Sequence, residues 1–270
     1  MFALTVLSFL AATQFAGKSD SVAVKIPFDA TKWKLDWSDE FQGDTLDKTK
    51  WAYDDGAPAN NEAQYYTKDR RENLDLVNGK LVIQALRDNW NGKAITSARI
   101  TTKGKKSFLY GRIEARAKIP TGRGTWPAVW LLGSVFPSIG WPECGEIDVL
   151  ENVGFDPTAI HANIHTEAYN HVKHTAKGST LNIPRPWEEF HTYAVEWYKD
   201  RLEFFCDDTR YFVFRKESSD SKVWPFDKPH FLILNLAIGG DWGGQKGIDD
   251  TAFAHKFEVD YVRYYVPNRM

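Results

Sequence analysis

Trp141-Pro142-Glu143-Cys144-Gly145-Glu146-Ile147-Asp148-Val149-Leu150-Glu151-Asn152 is the stretch around which this 270-residue chain is organised. It sets three carboxylates, Glu146, Asp148 and Glu151, among apolar residues that favour strands. Side chains along a strand alternate faces, so Glu146 and Asp148 share one face and Ile147 and Val149 the other. Glu151 has the parity of Ile147 and would point into the core of a regular strand. An unpaired carboxylate there is very costly. One extra residue, a β-bulge at Val149-Leu150, returns Glu151 to the side of the other two acids. The stretch therefore predicts a bulged strand with three acids on one face, which a soluble sheet has little reason to keep unless the acids act.

Outward from this stretch the chain reads as strands. Ile113, Ala115, Ala117 and Ile119 alternate with Arg112, Glu114, Arg116 and Lys118, the pattern of a half-buried strand that Pro120 stops. Further strands are expected over 33–41, 80–87, 98–102, 126–132, 159–165, 193–198, 201–206, 211–214 and 257–266, and Asn78-Gly79 marks a hairpin turn. The nearly continuous apolar run 231–238 predicts a strand buried on both faces, and 56–61 and 239–244 are loops. No segment carries a 3.6-residue period through three turns. Many short strands separated by turn signals predict an all-β sandwich or barrel.

Composition narrows the class. A net charge of -2 and the lack of a basic patch argue against a nucleic-acid partner. The 11 Trp, 11 Tyr and 17 Phe suit a sandwich core rich in large side chains, and some Trp are expected as exposed stacking platforms besides. Residues 1–17 carry no charge and are largely apolar, but the run is too short for a permanent span, so 1–19 is expected to be a secretory signal. A secreted protein with one domain over 20–270, a monomer not bound to a membrane, is the resulting expectation. Cys144 and Cys206 do not make a disulfide framework and are expected as separate buried thiols.

The acids admit a definite chemistry. Two carboxylates about 5 Å apart suit retaining glycoside hydrolysis, one attacking the anomeric carbon and the other protonating the leaving oxygen. Asp148 between them can hydrogen-bond the nucleophile and raise the pKa of the acid. A solvated acidic face or a calcium site would use similar residues, and spacing alone leaves these readings level. His161 and His165 share a strand face near His171 and His174, but no full zinc ligand set has the usual spacing.

The remaining motifs separate these readings. Trp141-Pro142-x-Cys144-Gly145-Glu146-Ile147-Asp148-x-x-Glu151 resembles the catalytic strand of glycoside hydrolase family 16. From Trp37 onwards so do Asp39-Glu40-Phe41, Asn61-Glu62-x-Gln64-x-Tyr66, Ser97-Ala98-Arg99-Ile100, Tyr110-Gly111-Arg112-Ile113-Glu114, Trp126-Pro127-Ala128-x-Trp130, Asn235-Leu236-Ala237-x-Gly239-Gly240 and Val259-Asp260-Tyr261-Val262-Arg263. The two residues between Asp148 and Glu151 are similar to the laminarinase branch; lichenases of the family typically have one.

The resemblance implies a β-jelly roll of two stacked antiparallel sheets with a concave cleft. It implies Glu146 as nucleophile, Asp148 as its assistant and Glu151 as acid/base, with no cofactor for catalysis. The implied activity is internal cleavage of β-1,3-glucan. Mixed-linkage β-glucan, a galactan such as agar or carrageenan, a transglycosylase and a non-catalytic glucan-recognition protein are the alternatives. Substrate-binding candidates are Asn61, Glu62, Arg99, Trp126, Trp130, Trp141, His165 and Trp242, with Trp126 favoured over Trp130. A pyranose packs its C–H groups on an aromatic face, and Trp242 in its Gly-rich loop has little core to fill. Glu40, Gly79 and Asp260 match positions where the family often holds a structural calcium.

Overall fold

A computed structural model describes residues 22–268, so the leader expected over 1–19 lies outside the described residues. Two antiparallel sheets, of nine and seven strands, stack face to face, and a short parallel pair joins Gln64–Tyr66 to Ile95–Ser97. Phe136–Ile139 is the one helix among the described residues. The seven-stranded sheet runs Lys177–Asn182, Asp156–His165, Glu146–Val153, Thr125–Gly133, His230–Ile238, Arg99–Thr101, Ala52–Tyr53. The acid-bearing strand thus sits near the middle, between the Thr125–Gly133 and Asp156–His165 strands.

Strand parity makes the core. Ile147, Val149, Val129, Leu131, Ile160, Ile164 and Leu234 turn inward from the seven-stranded sheet and meet Ile113, Ala115, Val195, Phe204 and Val259 of the other. Each such side chain contributes on the order of 1.5–3 kcal/mol when fully buried. All nine residues of His230–Ile238 are buried, as the apolar run predicted. The Asn78-Gly79 turn has positive φ at both residues (53° and 70°), the two-residue hairpin loop that matches strand twist. Cys144 and Cys206 are free and buried.

Two of the differences from the sequence reading have a clear physical reason. The Gly111–Lys118 strand is not half-solvated: Arg112 and Glu114 are buried. Arg112 donates to Glu114 (2.9 Å) and Glu196 (3.0 Å), and the Phe28 and Phe205 rings cover its guanidinium. Charge pattern marked the face as polar, whereas paired charges under aromatic cover satisfy it without water. The edge strand Lys177–Asn182 was not expected, because Lys-Gly-Ser-Thr-Leu-Asn has no apolar alternation. Its pairing with Asp156–His165 holds it in place.

Candidate active site

The bulge is present where parity demanded it. Against the Asp156–His165 strand, Asp148 pairs with Asn163 and Glu151 with His161, three steps on one strand for two on the other. Against the Thr125–Gly133 strand, Asp148 pairs with Trp130 and Leu150 with Val129, so Val149 has no partner on either side. Val149 and Leu150 are both fully buried in the core. Glu146, Asp148 and Glu151 consequently line one cleft on the open face of the sheet.

Burial raises the pKa of all three acids. For Glu146 the neighbouring Asp148 adds to the rise, while His165 and the Trp141 side chain oppose it. For Asp148 the charge of Glu151 adds to the rise, and the neighbouring Glu146 side chain opposes it. Glu151 is held back first by the Asn163 donor, then by His165 and the Trp126 donor. His165 Nε2 lies 3.3 Å from Asp148 Oδ2 and 3.7 Å from Glu146 Oε1. With Asp148 buried and Glu146 and Glu151 half-buried in one cleft, each charge disfavours ionising its neighbours. One acid ready to donate beside one ready to attack is what acid-assisted displacement requires.

Trp126 and Trp130 both line the cleft. Trp126 Nε1 donates to Glu151 Oε1 at 3.0 Å, and Trp130 Nε1 donates to Asn235 Oδ1 at 2.7 Å. Arg99 lines the cleft as well, paired with Asp54 at 2.6 Å and stacked 4.8 Å from the Tyr66 ring. Glu62 is buried at the cleft wall, where Gln64 and the Tyr66 hydroxyl donate to one of its oxygens. Trp242 packs edge-on to both Trp126 (5.5 Å) and His161 (4.9 Å). Trp141 joins His165 and His171 in an aromatic group beside Glu146, with centroids 5.8 and 5.1 Å away.

Asn61 is placed differently from the expectation. Its amide donates to Asp241 of the Gly-rich loop at 2.9 Å, and its neighbour Asn60 lines the cleft instead. The backbone of both residues is in the left-handed region, so a simple alternation rule does not place their side chains. Sequence reading missed Asn163, Tyr66 and Asn235 as site residues. Asn163 was within reach, since it has the same parity as His161 and His165. His161 itself is a neutral group: burial pushes it down to about 4, and its Nδ1 meets Thr180 Oγ1 at 3.0 Å.

The family model for glycosyl hydrolases family 16 matches residues 59–263. The chain belongs to this family. It is 46% identical to a β-glucanase of Rhodothermus marinus over 87% of this chain and 86% of that protein. The laminarinase structure from Rhodothermus marinus superposes with a TM-score of 0.85 at 46% identity, over 88% of this chain and 98% of that one. A non-specific endo-β-1,3(4)-glucanase of the family superposes at 0.87 with 42% identity, over 94% and 98%. The jelly-roll expectation is met by these likenesses and by the two stacked sheets.

The calcium positions are only partly free. Arg263 makes two hydrogen bonds to the Glu40 carboxylate (3.0 and 2.8 Å), and Arg116 holds Asp260 at 2.6 Å. The main-chain carbonyls of Glu40 and Gly79 both accept from Gln42 Nε2, at 3.0 and 3.5 Å. Asp260 lies near them, since Val259 pairs with Leu81 and Val262 with Asp39. The Glu40 and Asp260 carboxylates are thus each paired with an arginine. Two carbonyls and the Asp260 carboxylate are hard oxygen donors that suit calcium.

Proposed function

We propose that this chain is a secreted, monomeric, retaining endo-β-glucanase that cuts internal β-1,3-glucosidic bonds of laminarin-type glucans. Glu146 attacks the anomeric carbon while Glu151 protonates the leaving oxygen. The resulting glycosyl ester on Glu146 is then resolved by a water from which Glu151 takes a proton. Asp148, beside Glu146 on the same strand face, keeps the nucleophile oriented. The observation that carries this reading is the bulge, which brings Glu151 onto the same face as Glu146 and Asp148. Retention of all three acids argues against a recognition protein on the same fold.

Mixed-linkage β-glucan is the second reading, favoured by the likeness to the non-specific endo-β-1,3(4)-glucanase. A panel of laminarin, lichenan, agarose and carrageenan with product analysis tests both. The expected result is a ladder of oligosaccharides from laminarin, slower cleavage of lichenan and no attack on the galactans. Binding of laminarin without cleavage, or cleavage of a galactan alone, would overturn the proposal.

A further inference from the structure

The Asp156–His165 strand sets one polar side chain opposite each acid: His165 opposite Glu146, Asn163 opposite Asp148, and His161 opposite Glu151. Because the bulge displaces Glu151, the Asn163 amide reaches past Asp148 to it. Asn163 Nδ2 donates to Glu151 Oε2 at 2.8 Å, and Trp126 Nε1 donates to Oε1 at 3.0 Å. Each oxygen of Glu151 therefore has its own N–H donor, one from the strand on either side. Asn163 is only 5% exposed. Gly178, its cross-strand neighbour, makes the room. A Cβ at Gly178 would lie 2.1 Å from Asn163 Oδ1 and 2.6 Å from the Ala162 carbonyl oxygen. Gly178 is not among the residues with positive φ, so it serves space rather than backbone conformation.

We propose that Asn163, seated over Gly178, is a positioning residue for the acid/base: with Trp126 it fixes the plane of the Glu151 carboxyl group and supplies an N–H that the ionised form accepts. The proposal rests on the reading of Glu151 as acid/base. Such a group gives a proton in the first step and takes one in the second, and it does both best when neither form is strongly favoured. Burial favours the protonated form, and the Asn163 donor, His165 and the Trp126 donor favour the carboxylate. The paired donors also stop the carboxyl from rotating away from the leaving oxygen.

The test is kcat/KM against pH for Asn163→Ala and Asn163→Asp, the second keeping the side-chain shape. Two β-1,3-glucotriosyl substrates are compared, one with a sugar leaving group and one with 2,4-dinitrophenolate. Loss of a donor to the carboxylate raises the Glu151 pKa, so the basic limb should move up by about one pH unit. The sugar substrate should lose about tenfold or more. The dinitrophenyl substrate should lose clearly less, because its leaving group needs no proton. Gly178→Ala, which crowds Asn163 without touching Glu151, should show the same split in milder form. Equal losses on both substrates with an unmoved limb, or wild-type values throughout, would overturn the proposal. Glu151→Gln run in parallel separates the two readings: if it cleaves the sugar substrate at the wild-type rate, the acid/base assignment has failed, whatever Asn163 does.

Discussion

Asp148 is the most constrained of the three acids, at 3% exposed between two other carboxylates with His165 against it. Its charge raises the pKa of Glu146, and that sign yields a prediction. Glu146 must be ionised to attack, so activity rises with pH as it loses its proton. Asp148→Asn removes the raising charge, and the acid limb of the kcat/KM profile should move to lower pH. Activity itself should fall by roughly tenfold to a hundredfold, since the nucleophile loses its aligned neighbour. A limb that moves upward would contradict the arrangement. The acids were legible in the sequence because parity and the cost of a buried charge act on consecutive residues. Asn60, Tyr66 and Asn235 were not, because their roles depend on contacts between segments far apart in the chain, as in the Asn235 Nδ2 bond to the Tyr66 hydroxyl at 3.2 Å.

Among the elements, the bulged strand carries the site, and its position depends on what lies beneath it. Val149 and Leu150 are successive residues that both join the core between the sheets, whereas a regular strand sends successive side chains to opposite faces. Leu150→Ala should cost about 2–5 kcal/mol in denaturant unfolding. It should also lower activity more than a core truncation in the far sheet, such as Leu202→Ala, because it loosens the seat of Glu151. Equal activity in the two variants would remove the bulge from the account. Strands with apolar alternation were legible almost to the residue: Arg201–Cys206 coincides with the expectation, and Gly111–Lys118 falls one residue short of it. Lys177–Asn182 was not, since edge strands are held by pairing alone and need no apolar face.

At the scale of the whole molecule, the two sheets hold the cleft by one shared core, and the far sheet keeps its own buried charges satisfied. Arg112 is the centre of that arrangement, so Arg112→Leu should cost about 3–5 kcal/mol by leaving Glu114 and Glu196 unpaired, a loss that urea unfolding would measure. We propose a calcium ion for the oxygens of Glu40, Gly79 and Asp260. EDTA should then lower Tm and added calcium restore it; an unchanged Tm would mean that Gln42 and Arg116 serve these oxygens unaided. The sandwich class was legible because turn signals and strand periods are local. The burial of Arg112 was not, because aromatic cover from Phe28 and Phe205 arrives from distant segments. What unites the scales is a double displacement in which Glu146 attacks and Glu151 handles the proton. The most direct measurement is the anomeric configuration of the azide products formed when azide rescues Glu146→Ala and Glu151→Ala. The account predicts an α-glycosyl azide from Glu146→Ala and a β-glycosyl azide from Glu151→Ala; the reverse pair would contradict it.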